Sequence, residues 1–519
     1  MGLLTNEYRN KRPYNTTLEQ QTVDYSLSQK DYAIYTPSIS INYTHYGMHD
    51  NMESFGVKTK GYSPNSRMPS VYHPEGDENN YLQRDNGNFY YPYCLFSAGH
   101  AELDINKVTN DKANLMIHGH GKDSIVIGDS GGYQIATGVI PIKWSDPNSL
   151  NVWRMKILRW LEATADYTPT LDIPTHIIHR TPQAGYKTIN DCLNGTVENL
   201  KFFVKNRVPG ATNFLNVLQG RTVEEALTWY DTVKQYEFEG WTMAGPPAED
   251  FEVVLNLLIR LRDEKRISDN KHWIHFLGVS RLGAACAYTT IQRILREQVS
   301  PKMTLSFDSS SPFLSVAKGG IYTTVAMDQS SKSKSFGPVV RDAPDDRKYQ
   351  GSTMLLQEWL EQTYGTTSYD STAISRKLSI GEICRDGATP TSRSSWDTIS
   401  YMHIMNHNIE CHVRGVQRAC EKYDLPYEEA SKYIPYELLM FRDVIANEVF
   451  NSETPYDVIK KYKTELNNLI GMKAKRPVID NSVSKFFGEE LMREHIEVEE
   501  KVKPQPIIIN DKAKSLFEF

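Results

Sequence analysis

Between Ser124 and Asp308 short apolar runs alternate with helix-length amphipathic segments, and this alternation restricts the 519-residue chain more than any other feature. The runs read as strands over residues 125–128, 167–171, 214–218, 241–244, 273–279 and 303–307. Helices are expected between them, over 151–164, 196–205, 223–236, 250–264 and 282–296. Val253, Val254, Leu257, Leu258 and Leu261 show the i, i+3, i+4 spacing of a one-sided apolar helix face. Strands and helices in strict alternation mean parallel βαβ units, which leaves a doubly wound open sheet or a closed barrel.

The residues at the ends of the runs separate the two. These are Asp129, Asp172, Gln219, Gly245, Gly278 and Asp308. A barrel opens all its strand ends onto one face and needs polar or glycine residues at many of them. An open sheet concentrates such residues at one switch point, usually with a glycine-rich phosphate loop after its first strand. The chain has neither a GxGxxG after that strand nor a P-loop. The fold expected is therefore α/β, a (β/α)8 TIM-like barrel with an irregular N-terminal segment and a mainly helical C-terminal region.

The pattern divides the chain into three regions. Residues 1–90, rich in Tyr, Asn and Ser, read as an extension packing on the barrel, with short extended pieces such as Ala33-Ile34-Tyr35 as candidate added strands. Residues 91–350 carry the barrel with loop insertions, and 328–351 read as a polar functional loop or linker. Residues 351–519 are helical in pattern, and their start is left free to complete the barrel. The charge of −6 argues against a histone-like or arm-type nucleic-acid binder but leaves room for a local basic groove. Candidate basic clusters are Lys460-Lys461-Lys463 and Lys473-Lys475-Arg476, which more often are solvated faces. No apolar run approaches the ~18 residues of a membrane span. The N-terminus lacks an apolar signal core, and Asn6 breaks the myristoylation pattern. Six scattered cysteines make no disulfide framework, so a reducing cytoplasmic setting is expected.

Asp129-Ser130-Gly131-Gly132-Tyr133-Gln134 comes directly after the first clear strand. Its glycines would let backbone approach a ligand closely, its Asp and Ser offer hydrogen bonds, and its Tyr offers a flat face. Taken alone, the segment equally suits an Asx-type turn with a packed tyrosine. DSGGYQ resembles the signature of the tRNA-guanine transglycosylase family, whose members exchange a guanine for a 7-deazaguanine within a nucleic-acid strand. Five further motifs resemble the family's in order: LDIP at 171–174, LQG at 218–220, MAG at 243–245, FLGVS at 276–280 and FDSSSP at 307–312. The resemblance covers roughly residues 90 to 320 and weakly extends to about 420.

The resemblance implies a base exchange at C1′ through a covalent aspartyl-sugar intermediate, with Asp308 as nucleophile and Asp129 as acid/base. It implies that Ser130, Gly131, Gly132, Tyr133, Asp172, Gln219, Gly220, Gly245, Leu277 and Gly278 bind the base. In that scheme Asp172 accepts from the N–H edge, Gln219 and the Gly245 N–H serve O6, and Tyr133 and Leu277 sandwich the ring. Turn or helix-cap roles remain the bland alternatives for Asp172, Gln219 and Asp308. No redox cofactor or nucleoside triphosphate is required.

The chain departs from the family at the zinc site. It has no C-x-C and no C-x-x-C, and offers only Cys384, His403, His407 and Cys411 as a weak candidate set. Zinc is not expected. This absence and the long Tyr-rich N-terminus point to the phage-type DNA-guanine transglycosylase branch, acting on DNA in a host cytoplasm with a free 7-deazaguanine such as 7-cyano-7-deazaguanine. The alternatives are a tRNA substrate, a non-catalytic nucleic-acid-binding family member, or a glycosylase that hands the sugar to water. No membrane partner is expected, and a homodimer is compatible with the sequence.

Overall fold

The computed structural model describes residues 31–40, 43–44, 79–84, 88–101, 103–105, 123–136, 147–179, 186–332, 334–365, 371–385 and 395–469. Eight of its strands form one sheet: β1 (Ile34–Pro37), β2 (Tyr93–Ser97), β3 (Ile125–Asp129), β4 (Tyr167–Pro169), β5 (Asn213–Leu218), β6 (Gly240–Met243), β7 (Trp273–Phe276) and β8 (Thr304–Ser309). The order is β1-β8-β7-β6-β5-β4-β3-β2, and every pairing is parallel. The two ends meet where Ser38 bridges Leu95 and the Ile39 N–H donates to the Leu95 carbonyl at 2.8 Å. The sheet is a nearly closed TIM-like barrel, as the alternation predicts.

Helices fill the crossovers. The short α1 (Gly132–Ala136) comes after β3, and then α2 (Pro147–Thr164), α3 (Ile189–Asn206), α4 (Val223–Val233), α5 (Phe251–Asp263) and α6 (Leu282–Gln298) each precede the next strand. Local chemistry sets their starts. Asp250 caps α5 by accepting from the Glu252 N–H at 3.0 Å, and Thr222 caps α4 by accepting from the Glu225 N–H at 3.2 Å. Arg260 and Arg262 occupy the last turn of α5, where the helix dipole favours cations. The apolar face read from sequence is the buried one, Val253, Val254, Leu257, Leu258 and Leu261 among it. Each such side chain stabilises the fold by roughly 1.5–3 kcal/mol when buried.

Alternation along the strands decides what fills the barrel. On β7, Phe276 faces outward and stacks on Tyr288 of α6, with ring centroids 4.0 Å apart. His275 and Trp273, one and three residues before it, face inward. Trp273 stacks on Tyr167 of β4 at 4.0 Å, so two aromatic rings floor the interior below the strand ends.

Three sequence expectations differ from the structure. The barrel begins before residue 91, because β1 lies within the segment read as an extension and pairs with β8. The C-terminal region supplies no barrel strand among the described residues, whose eighth strand is β8. Residues 328–351 are not simply a loop: after α7 (Ser311–Ala317), β9 (Gly320–Asp328) and β10 (Ser335–Asp342) form an antiparallel hairpin. Its second strand is half-exposed along most of its length, so it carries no clean apolar alternation to read. Beyond it the chain is helical: α8 (Leu356–Tyr364), then α9 (Thr398–Tyr423), which packs on α6, α7 and β9. Among the described residues no helix is long and apolar enough to cross a membrane. All six cysteines are free and buried.

Candidate active site

The parallel strands all finish at one mouth, and the polar residues singled out from sequence finish there with them. Ser97 at the end of β2 is in register with Asp129 at the end of β3, and Thr36 of β1 with Asp308 of β8. Asp172, Gln219 and Gly245 lie just beyond β4, β5 and β6, and Leu277 and Gly278 just beyond β7.

Asp129 accepts a 2.5 Å hydrogen bond from the Ser97 hydroxyl on Oδ2, and a longer one of 3.3 Å from the Gly131 N–H. Burial raises its pKa above the ordinary value, the Ser97 bond opposes this, and the nearby Asp308 charge adds to the rise. Asp172 is pushed up to about 7, mainly by burial, against the pull of its hydrogen bond from Gln219 and helped by the Asp129 charge. Asp129 thus lies within electrostatic reach of both other carboxylates. Desolvation and crowding bias both acids toward their protonated forms, which is what acid/base chemistry uses.

Asp308 is arranged differently. Its Oδ1 accepts from the Gly278 N–H at 2.9 Å and lies 3.3 Å from His275 Nε2. Its Oδ2 has no partner among the described residues. The carboxylate does not cap α7; the next turn is closed by Ser309, whose hydroxyl accepts from the Ser311 N–H at 3.0 Å. Nor does Asp172 cap a helix, since its Oδ2 takes the Gln219 amide at 2.7 Å. Thr175 donates to the Gln219 carbonyl at 3.3 Å and so orients that amide.

The glycines divide into two kinds. A Cβ on Gly131, at φ +76°, would meet the Gly99 backbone at 2.7 Å, and one on Gly132 would meet the Asp172 carbonyl at 2.9 Å. At these two positions the loop packs closely on its neighbours, and Ser130 helps by donating to the Thr170 carbonyl at 3.3 Å. Gly220 likewise packs on the Ala226 backbone. Gly278, at φ +78°, has nothing within 4 Å of its Cβ position, and Gly245 has only Gln219 Oε1, at 3.5 Å. Those two border open space at the mouth.

Tyr133 stands half-buried in α1 with its ring 4.9 Å from that of His176. Leu277 is half-buried beyond β7, across the barrel from β3 in the strand order. Ser97, Thr175, His176, His275, Trp273 and Ser306 escape a reading of the sequence alone. The signal available is period-two spacing: Trp273-x-His275 and Ser306-x-Asp308 put polar groups on the inward face of adjacent strands.

The candidate zinc residues do not fit a metal. His407 Nδ1 lies 2.7 Å from Thr372 Oγ1 and its Nε2 2.8 Å from the Tyr322 carbonyl, so both ring nitrogens are engaged. His403 Nδ1 is 3.4 Å from Asn79 Oδ1, Cys411 Sγ contacts His407 at 3.6 Å, and Cys384 donates to the Pro344 carbonyl at 3.1 Å. Among the described residues no group of three His, Cys, Asp or Glu is disposed to hold a metal ion. Of the basic clusters, Lys461 pairs with Glu448 and Lys463 with Glu252, while Lys473, Lys475 and Arg476 lie outside the described residues. No family model matches the chain, and no curated protein matches it either.

Proposed function

We propose that the protein is a base-exchange glycosyltransferase that replaces guanine in a DNA strand by a 7-deazaguanine, through a covalent bond between Asp308 and C1′ of the nucleotide. The observation that carries this is the contrast among three acids at one barrel mouth. Asp308 has one oxygen held and the other open, while Asp129 and Asp172 are biased toward their protonated forms.

In the first displacement Asp308 Oδ2 attacks C1′, and the bond from C1′ to the ring nitrogen of guanine breaks with its electron pair leaving on the base. Asp129 gives that base a proton. In the second, the ring nitrogen of the incoming 7-deazaguanine attacks C1′, the C1′–Oδ2 bond breaks with its pair returning to Asp308, and Asp129 takes the proton back. Configuration is retained and no electrons are exchanged with a cofactor. A positioned proton carrier of this sort contributes ~10²–10⁴-fold. Asp172 accepts from the N–H edge of the base, and the second N–H of Gln219 reaches O6. Adenine is rejected because it would leave these buried groups unpaired.

DNA is preferred to tRNA because the cysteine motif of the tRNA enzymes is missing and the candidate substitutes are engaged elsewhere. Arg281, just beyond β7, suits phosphate contacts at the mouth; Lys318, at the end of α7, is a second candidate, and Lys143, a third, lies outside the described residues. The test is isotope exchange: labelled guanine and 7-cyano-7-deazaguanine offered with duplex DNA, single-stranded DNA and tRNA. Label in DNA supports the proposal. Label in tRNA alone moves the substrate and keeps the chemistry, and label in neither overturns both.

A further inference from the structure

Beneath Asp308 runs a buried polar chain that the exchange chemistry leaves without a role. Trp273 Nε1 lies 2.7 Å from Ser306 Oγ, and the same hydroxyl is 2.8 Å from His275 Nδ1. His275 Nε2 then lies 3.3 Å from Asp308 Oδ1 without forming a hydrogen bond to it, and has no hydrogen-bond partner among the described residues. Trp273, Ser306 and His275 are fully buried, on adjacent strands in register.

Hydrogen-bond accounting fixes the proton on the imidazole. The indole N–H can only donate, so it occupies one lone pair of Ser306 Oγ. The Ser306 hydroxyl hydrogen then needs an acceptor, and the one at hand is His275 Nδ1. A hydrogen on Nδ1 would leave the buried hydroxyl hydrogen unpaired. With Nε2 bare, it would also set a lone pair against a carboxylate oxygen. Each unpaired buried group of this kind is costly. His275 is therefore the Nε2–H tautomer, with an unsatisfied buried donor beside Asp308 Oδ1.

We propose that His275 is a positioning residue for Asp308: its unsatisfied Nε2–H, 3.3 Å away, closes on Oδ1 beside the Gly278 N–H during the reaction, leaves Oδ2 to attack C1′, and eases the return of Asp308 to a carboxylate when the sugar leaves. The last part rests on the base-exchange function above. The free carboxylate carries full charge, the covalent ester almost none, and the transition state between them a part. A donor on Oδ1 stabilises these in that order. Removing it speeds or spares ester formation but slows ester breakdown, because the electron pair returning from the C1′–Oδ2 bond meets one donor fewer. A merely structural loss would instead depress formation and leave the partition unchanged. Hydrogen bonds to charged groups are strong enough for breakdown to slow about tenfold.

The experiment uses the full chain with a guanine-containing oligonucleotide, chased with 7-cyano-7-deazaguanine and quenched in denaturant at intervals. Wild type, His275→Phe, His275→Gln and Asp308→Asn are compared. His275→Phe should accumulate more denaturant-resistant adduct than wild type and release it about tenfold more slowly. His275→Gln, which keeps an N–H at similar reach, should restore much of the release. Equal partition in wild type and His275→Phe, or slower formation with normal release, overturns the inference while the exchange chemistry stands. No adduct in wild type, with DNA or tRNA, overturns the exchange chemistry and this role together. Nitrogen NMR of histidine-labelled, substrate-free wild type gives an answer independent of both substrate and variant folding. A hydrogen on Nε2 alone is expected at His275, and a hydrogen on Nδ1 overturns the relay.

Discussion

Gln219 Nε2 donates to Asp172 Oδ2 across 2.7 Å while Thr175 holds the other end of the same amide. The amide is thereby fixed with its NH2 toward the carboxyl group and its carbonyl toward the hydroxyl. This bond pulls the Asp172 pKa down, yet burial wins and leaves it at about 7. At that value Asp172 is poised between a neutral acid and a carboxylate able to accept N–H donors.

Stability should reflect that poise. An unfolded Asp titrates near 3.9. With the folded value raised, the folded state binds the extra proton between about pH 4 and 7, so the contribution is full below pH 4 and is lost as pH rises toward and through 7. The loss is on the order of a few kcal/mol. Asp172→Asn should flatten this slope and melt higher than wild type at pH 8, while losing ~10–100-fold in affinity for free base. Thermal denaturation at pH 5 and pH 8 checks the first, and base titration the second. A variant less stable than wild type at pH 8 would contradict the burial account.

Asp308→Asn should keep the Gly278 N–H anchor, because an amide oxygen accepts as the carboxylate did. The fold and free-base affinity should stay within about twofold of wild type, a change of under ~0.5 kcal/mol. Exchange and adduct formation should vanish, since the neutral amide lacks the charged oxygen that attacks. Mass spectrometry of the denatured mixture reads the adduct directly, and an adduct in the variant would move the nucleophile elsewhere.

Much of this is legible in the sequence because the apolar runs of β3 to β8 each stop at the polar or glycine residue that the mouth uses. Asp129, Asp172 and Asp308 stand out as carboxyl groups where those runs end. β1 does not stand out: it is four residues long, ends in Pro37, and pairs with β8 far along the chain. His275 and Ser306 are hidden for another reason. Barrel strands are buried on both faces, so a polar residue inside one breaks no alternation, and only the register of β7 against β8 shows that two of them meet. Gly131 and Gly132 also pack tightly on Gly99 and Asp172, contacts that sequence spacing does not carry.

Ser97→Ala removes the shortest hydrogen bond to Asp129. That bond lowers the Asp129 pKa, so its loss raises it further. The limb of the pH–rate profile belonging to Asp129 should move to higher pH, in the direction that loss of a bond to the charged form requires. Rates measured from pH 5 to 9 decide this. An unshifted profile would mean that Asp129 does not carry the proton.

Gly131→Ala and Gly278→Ala make the sharpest contrast, because both positions have positive φ and differ chiefly in their surroundings. A left-handed conformation costs a non-glycine residue ~1–2 kcal/mol. At Gly278 that is nearly the whole cost, since a Cβ there meets nothing within 4 Å. At Gly131 the methyl would also strike the Gly99 backbone at 2.7 Å, adding ~1–3 kcal/mol of overpacking. Urea unfolding should therefore find Gly131→Ala the less stable by more than ~1 kcal/mol. Activity should divide the other way for the protein that remains folded. The Gly278 methyl would stand in open space beside the N–H that holds Asp308 Oδ1, on the path the proposed exchange gives to the incoming base. Gly278→Ala should thus be a well-folded protein with exchange reduced at least tenfold and its free-base affinity weakened. If Gly278→Ala kept full exchange, the space before Gly278 could not be where the base sits.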